Sequence, residues 1–277
     1  MISIRLAGGL GNQVFQLAAA LLLSSKLNKP IKIDCSSLSS YKVSRNLMLN
    51  EIFDLDFVNI QFEISPIMRL YSRMRVARLG IIGCNDKSIR RFISKNNLSF
   101  FPIHLDGYFQ DFWLESEFNY IVTKLKKLLR KDLSTPANRL VIHCRGGDFL
   151  EDSNLNILSL EWYKLSLTTL SKIEKIPDEC VVVCEDSQQG ELLVDYLNSE
   201  TKYKFILKDI GTIAEDFFYI AESNFIISGN STFAFWAAVF GDKASCRIAH
   251  TDFSRKRKRL NVIPNEILIP INNRYSG

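Results

Sequence analysis

The sequence contains no apolar run long enough to cross a bilayer. Its longest, Leu17 to Leu23, falls far short of the roughly 20 residues a helical span needs, and no small-residue cleavage site follows it. A cytoplasmic protein is the expectation. Cysteine is scattered: Cys35, Cys84, Cys144, Cys180, Cys184 and Cys246 form no C-x-x-C pair and have no matching histidine spacing. In a chain this long that excludes a disulfide scaffold, and the thiols are expected reduced and mostly buried. No metal constellation is present, so no metal cofactor is expected. Charge of neither sign dominates. The 35 basic and 30 acidic residues leave a net +5, which favours phosphate-bearing partners but is too small and too dispersed to indicate nucleic acid.

What remains is the balance of a globular protein: 277 residues, 47% hydrophobic and 23% charged, enough for one large α/β domain or two of ordinary size. The most informative stretch is Leu140-Val-Ile-His-Cys-Arg-Gly-Gly-Asp-Phe149. A β-branched run predicts a buried strand, and a loop follows carrying His143, Arg145, Gly146, Gly147 and Asp148. At the carboxyl end of a parallel strand such a loop suits an anion, because a guanidinium holds phosphate oxygens through a planar fork of donors. The same residues also suit a plain turn in which Arg145 and Asp148 pair with each other or with solvent.

The N-terminus reads as strand, glycine turn and helix: Ile2 to Ala7, Gly8-Gly-Leu-Gly-Asn12, then Gln13 to Leu27. Asn28-Lys-Pro30 stops that helix, and a strand at Ile31 to Asp34 completes a βαβ unit. Gly9, Gly11 and Asp34 partly imitate a dinucleotide fingerprint, although Val14 stands where the third small residue belongs. An NAD(P)-dependent oxidoreductase is therefore one alternative, and a glycine turn that merely connects two elements is another. Pro66 to Ile82 has apolar residues at helical spacing flanked by Arg69, Arg73, Arg75 and Arg78, the pattern of a basic amphipathic helix. It fits an ordinary solvated face or a peripheral contact with an anionic membrane. Leu105 to Trp113 is dense in aromatics, suited to a sugar-binding wall or to packing.

Ser134-Thr-Pro-Ala-Asn138 breaks both periodicities and marks the expected boundary between domains 1–135 and 136–277. Beyond it, strands at Leu140–His143, Cys180–Cys184, Tyr203–Leu207 and Asn224–Ser228 alternate with helices at Leu160–Glu174, Gln188–Leu197, Ile213–Glu222 and Ser231–Phe240. This is a doubly wound α/β pattern. Ser228-Gly-Asn-Ser-Thr232 ends a strand and opens a helix, where Asn230, Ser231 and Thr232 suit either phosphate binding or helix capping. Asp186, at another strand end, suits guanine recognition or capping of the next helix. Ser254-Arg-Lys-Arg-Lys-Arg259 reads by default as an exposed basic loop.

Gly8-Gly-Leu-Gly-Asn-Gln-Val-Phe-Gln16, Gly107-Tyr-Phe-Gln110 and Asn230-Ser-Thr-Phe-Ala-Phe-Trp-Ala-Ala238, together with the His143 to Phe149 segment, resemble the bacterial alpha-1,2-fucosyltransferases that share a His-x-Arg-Arg-Gly-Asp-Tyr motif. The resemblance spans nearly the whole chain, in order. It implies a GT-B fold, two Rossmann-like α/β domains facing across a cleft, with the acceptor on the N-terminal and the GDP-sugar on the C-terminal side. It implies inverting, metal-independent transfer of L-fucose from GDP-fucose to the 2-hydroxyl of a terminal galactose, in a glycan such as an O-antigen unit. A lipid-linked acceptor would bring the 66–82 helix to the inner membrane face. By the same resemblance His143 contacts guanosine and Arg145 pyrophosphate, with Gly147, Asp148, Asp186, Asn230, Ser231, Thr232, Gly9 and Gly11 at the donor site and Asn12 beside the reacting centre. Asp148, Asp111 and Glu115 are the candidate bases. Gly146 and Phe149 replace the motif's second arginine and its tyrosine, which admits another GDP-sugar as donor, or a sugar-nucleotide-binding relative that has lost turnover.

Overall fold

The computed structural model describes residues 1–38, 46–56, 59–61, 82–94, 102–111, 113–133, 135–145, 158–241, 244, 246–254, 257–258, 260, 263 and 265–270. The chain divides into two compact units, Met1–Arg130 and Lys131–Gly277.

The first unit runs β1 (Ile2–Arg5), α1 (Leu10–Leu27), β2 (Ile31–Asp34), α2 (Leu49–Ile52), β3 (Asn59–Gln61), β4 (Ile82–Cys84), α3 (Ile89–Ser94), β5 (Ile103–Leu105) and α4 (Glu115–Lys126). Its sheet has the order β3-β2-β1-β5-β4, with every pair parallel. Strand alternation sets Ile2 and Ile4 beside Ile31, Ile33, Ile103 and Leu105, one apolar face. Helix α1 starts three residues earlier than periodicity predicts. Gly9 is its extended N-cap, and the Gln13 amide donates to the Gly9 carbonyl at 3.1 Å, so Gly11 belongs to the helix rather than to the turn. The helix ends where Asn28 adopts the left-handed conformation, φ 49°.

The second unit runs β6 (Ala137–Cys144), α5 (Leu160–Ile173), β7 (Cys180–Cys184), α6 (Ser187–Glu200), β8 (Phe205–Leu207), α7 (Ile213–Ala221), β9 (Ser223–Ile227), α8 (Thr232–Phe240), β10 (Cys246–His250), β11 (Asp252–Ser254), β12 (Arg257–Lys258) and β13 (Glu266–Ile269). Its parallel sheet has the order β13-β10-β9-β6-β7-β8. One face packs Leu140, Ile142, Val182, Ile227 and Ile248 against Trp162, Tyr163, Leu167 and Leu170 of α5 and Leu193 and Leu197 of α6. On the other side α7 and α8 meet through a run of aromatic contacts that links Phe217 to Phe233 and Phe240.

The expected linker is partly strand: Ala137 pairs with Ser223, and its amide donates to the Glu222 carbonyl at 2.6 Å. The basic run also departs from a plain loop, since Ser254 and Arg257 pair in the β11–β12 ribbon. Of the expected basic helix, residues 66–81 lie outside the described structure and Ile82 opens β4.

In the second sheet the winding reverses once, and in the first it reverses twice. From β1 the chain proceeds outward through β2 and β3, crosses to the opposite edge at β4, and returns inward so that β5 lies on the other side of β1. From β6 it proceeds through β7 and β8, and β9 then joins the other side of β6. In open α/β sheets ligands bind outside the carboxyl ends of the strands at such reversals. The two expected α/β halves of the GT-B class are thus present, each with a switch point of its own.

Candidate functional site

The second unit's switch point lies between β6 and β9. Their last register pair is Ile142 with Ile227, so His143 to Arg145 and Ser228 to Asn230 leave the two strand ends together, with the His143 carbonyl oxygen next to Gly229. His143 is buried, 7% exposed, and its ring lies 5.7 Å from that of Phe233 in the first turn of α8. Burial first, and then the adjacent Arg145 charge, push its pKa down to about 3, so the imidazole is neutral at physiological pH. Its Nδ1 has no hydrogen-bond partner among the described residues. A neutral ring with an unsatisfied nitrogen is suited to a ligand hydrogen bond and not to proton abstraction near pH 7. Arg145 follows the strand and forms an ion pair with Glu185 at 3.7 Å, a carboxylate about half exposed. Such pairs contribute roughly 0–1 kcal/mol, so exchanging this one for a phosphate ligand costs little.

Two helix N-termini flank these residues. Ser231, fully buried, caps α8 by accepting from the Ala234 amide at 3.4 Å, and Asp186 caps α6 by accepting from the Gln189 amide at 3.1 Å. Both side chains therefore have the capping role that their positions allowed. Capping leaves the helix dipoles' positive ends beside Arg145. Gly229 has φ +56°, and the turn it makes carries the chain from β9 into α8. Beneath the strand ends, Cys144 and Cys184 are register partners on β6 and β7, both buried.

The first unit's switch point, between β1 and β5, gathers two of the sequence motifs. Gln16 accepts from the Ala7 amide and donates to the Gly107 carbonyl, each at 3.0 Å, while Gln110 donates to Asn12 Oδ1 at 2.8 Å. Gln13 donates to the Gly8 and Asn46 carbonyls and accepts from the Met48 amide, all at 3.0 Å. Gly8 lies at φ +77°, where a side chain is strained, and a Cβ there would also press on the Asn12 side chain, 2.5 Å from Nδ2. Phe109, buried in the left-handed region at φ 54°, is held by its amide donating to Asp86 and by Trp113 Nε1 donating to its carbonyl at 2.8 Å. Arg5 pairs with Asp106 at 3.5 Å across the same strand ends. Asp34 closes a local turn by accepting from the Ser36 amide at 3.0 Å, so the carboxylate of the dinucleotide-like pattern is engaged within its own loop.

Thus His143, Arg145, Asp186, Asn230, Ser231 and Thr232 come together at the ends of β6, β7 and β9, and Gly9, Gly11 and Asn12 at the end of β1. Gly147 and Asp148 lie outside the described residues, as does Phe112. Asp111 and Glu115 are exposed. Sequence reasoning missed Glu185 as the partner of Arg145 and Phe233 as the wall against His143. Only Glu185 carried a signal, as a second carboxylate beside Asp186 at the same strand end.

The fold has solved counterparts. The alpha-1,6-fucosyltransferase NodZ, in crystals soaked with GDP-fucose, superposes with a TM-score of 0.53 at 13% identity, covering 86% of this chain and 92% of NodZ. A mutant of Arabidopsis thaliana FUT1 in complex with GDP superposes with a TM-score of 0.51 at 11% identity, covering 87% of this chain and 69% of that one. No curated protein sequence matches. At these identities the superpositions establish the α/β fold alone, but the family model of glycosyl transferase family 11 matches residues 1–261, nearly the whole length of both units, and on that match the chain belongs to glycosyl transferase family 11.

Proposed function

We propose that the protein is an inverting fucosyltransferase that moves L-fucose from GDP-β-L-fucose to the 2-hydroxyl of a terminal galactose, or a similar sugar, in a cell-surface glycan such as an O-antigen unit. The observation that carries the donor half is the meeting of His143 and Arg145 with Asn230, Ser231 and Thr232 at the β6–β9 switch point. Fucosyl transfer is further supported by the fold shared with NodZ and FUT1.

In this reading the second unit holds the nucleotide. His143, neutral and with Nδ1 available, bonds the guanosine. Asp186 faces the guanine N–H groups, and Arg145, the Gly147 amide and the α8 N-terminus take the pyrophosphate. As the fucosyl C1–O bond breaks, negative charge grows on the leaving phosphate. A fixed guanidinium stabilises that state more than the ground state. The acceptor hydroxyl attacks C1 from the opposite face, which inverts the centre, and its proton passes to a carboxylate drawn from Asp148, Asp111 and Glu115. The first unit serves the acceptor, with Asn12 contributing near the reacting carbon, while Gly9 and Gly11 bring their backbone to the donor. No metal is required. The departures at Gly146 and Phe149 leave a sugar-nucleotide-binding relative with little turnover as the second reading.

Calorimetry with GDP-fucose, GDP-mannose, UDP-galactose and NAD separates these. Binding of GDP-fucose in preference to the others, lost in Arg145→Ala, is the expected result. Preference for another nucleotide overturns the fucosyl assignment, and binding without GDP release for any acceptor favours the non-catalytic relative. Turnover undiminished by EDTA, with the new linkage read by NMR of the product, completes the test. Among the described residues no helix is long and apolar enough to cross a membrane. Peripheral binding through residues 66–82 would appear as salt-sensitive sedimentation with anionic liposomes.

A further inference from the structure

The proposed transfer uses the Asn12 amide near the reacting carbon, and a chain of hydrogen bonds that begins at Asp86 orients that amide. Asp86 lies in the turn between β4 and α3. The turn is closed on itself: Asn85 Oδ1 accepts from the Lys87 and Ser88 amides at 3.2 and 3.1 Å, and the Asn85 amide donates to Ser88 Oγ at 2.9 Å. Beside it the β4–β5 ladder continues one step past the Cys84–Leu105 pair, with the Asp106 amide donating to the Cys84 carbonyl at 2.9 Å. The Asp86 carboxylate therefore stands against the turn that follows β5. There it accepts from two consecutive amides, that of Tyr108 at 3.2 Å through one oxygen and that of Phe109 through the other. Hydrogen bonds to an ionised acceptor are among the stronger ones.

This clamp accounts for the unusual backbone of residues 107 to 110. A Cβ on Gly107 would stand 2.7 Å from Asp86 Oδ2 and 3.1 Å from the Asp86 backbone nitrogen, so a glycine lets the two turns approach. Phe109 keeps φ at 54°, a conformation that bulky residues rarely adopt, while its ring is fully buried. Asp86 holds its amide, and Trp113 Nε1 holds its carbonyl at 2.8 Å. The next residue, the buried Gln110, donates from Nε2 to Asn12 Oδ1 at 2.8 Å. With Oδ1 turned to Gln110, Asn12 Nδ2 is turned towards Gly8, where a Cβ would stand 2.5 Å from it. Each link from Asp86 to Asn12 is thus a hydrogen bond or a single peptide step.

We propose that Asp86 is a positioning residue for Asn12: by clamping the Tyr108 and Phe109 amides it sets where Gln110 holds the Asn12 amide, and so how that amide meets the reacting carbon. The inference rests on the transfer reaction proposed above. Asp86→Asn keeps the volume and replaces one of the two acceptor oxygens by a donor. The readout is GDP release from GDP-fucose, with lactose as acceptor and with water alone, in a double-mutant cycle with Asn12→Ala. We expect Asp86→Asn to lower kcat about tenfold when Asn12 is present and by less than about twofold when it is absent, because a residue acting through another has no effect once that other is gone. GDP affinity by calorimetry should change by less than about twofold in either background, since the proposed nucleotide site belongs to the second unit. A merely structural role would lower kcat equally in both backgrounds, and that outcome overturns the proposal, as does unchanged kcat in the single variant. If Asp86→Asn does not fold, Asp86→Glu keeps the charge and both acceptors but sets them one methylene further out, and the same cycle decides: a loss that disappears without Asn12 supports the role, and an equal loss in both backgrounds overturns it. GDP release by the unaltered protein with additive effects overturns only the role of Asp86. Absence of GDP release from GDP-fucose by the unaltered protein overturns the transfer reaction and this role together.

Discussion

The two switch points occupy equivalent places in their sheets and differ chiefly in their glutamines. At β1–β5 three buried glutamines are bonded within the protein: Gln13 and Gln16 bond backbone on either side and Gln110 bonds Asn12, while Arg5 faces the half-exposed Asp106 and His104 Nε2 has no hydrogen-bond partner among the described residues. At β6–β9 the corresponding groups are a guanidinium facing a half-exposed carboxylate and a buried imidazole whose Nδ1 has no hydrogen-bond partner among the described residues. Buried polar groups that are fully bonded add rigidity, whereas an unsatisfied one stores a cost that a ligand can relieve. The glutamine bonds hold the first turn in shape, and under the proposed donor reading the second is the one that meets an anion.

The sharpest test of that contrast is Arg145→Ala. It should reduce kcat/KM for the donor about 10²–10³-fold with little change in melting temperature, as removal of one preorganised transition-state contact does. A mainly structural arginine would reverse the pattern. Next is Gln16→Leu, which strands the Ala7 amide and the Gly107 carbonyl. It should cost about 2–4 kcal/mol in denaturant unfolding while leaving GDP affinity unchanged, since each stranded group costs roughly 1–3 kcal/mol. A loss of GDP affinity without loss of stability would erase the distinction between the two crevices.

Acidification gives a smaller effect with a definite sign. His143 is held neutral in the fold, with its pKa near 3, against an ordinary value of 6.5. The unfolded chain takes up the proton first as pH falls below 6.5, so stability present above that value is lost progressively down to about 3. Between pH 7 and 5 the loss is about 2 kcal/mol, and His143→Gln should abolish that part of the slope. His104 in the first unit is shifted the same way, chiefly by burial, so the substitution and not the wild-type curve isolates the site. Smallest is Glu117. Burial would raise its pKa, but hydrogen bonds from Lys26 and Arg90, at 2.6 and 2.7 Å, outweigh that and lower it. Its contribution, about 1 kcal/mol or less, is present above the ordinary carboxylate pKa and lost as pH falls through the folded value. Glu117→Gln should therefore lower the melting temperature at pH 7 and progressively less as pH falls below the ordinary carboxylate range, and a difference that does not shrink with acid would point to packing instead.

How much was legible follows from element length. Helices of 14 residues such as α5 and α6, and β-branched strands such as Cys180-Val-Val-Val-Cys184, carry enough periods to declare themselves. Strands β3, β4 and β5 have three residues each, too few for alternation to register, and β10 and β13 sit among charged and irregular sequence. Missing β5 also hid the meaning of Gly107 to Gln110: that segment reads as an aromatic wall, yet its place beside β1 makes it the partner of Asn12 and Gln16. For Asp186 and Ser231, the capping alternative visible from residue type is the one the helices adopt.

The sequence by itself determined the α/β class, the opening βαβ unit, and the chemical character of the two motif groups, because propensity, periodicity and side-chain type are local properties. Only the tertiary structure decided that β5 inserts beside β1 and β9 beside β6, which joins Asn12 to Gln110 and places His143 against Phe233. Strand order is settled by which apolar faces and backbone ladders satisfy one another across about a hundred residues of chain, and no local pattern encodes that choice.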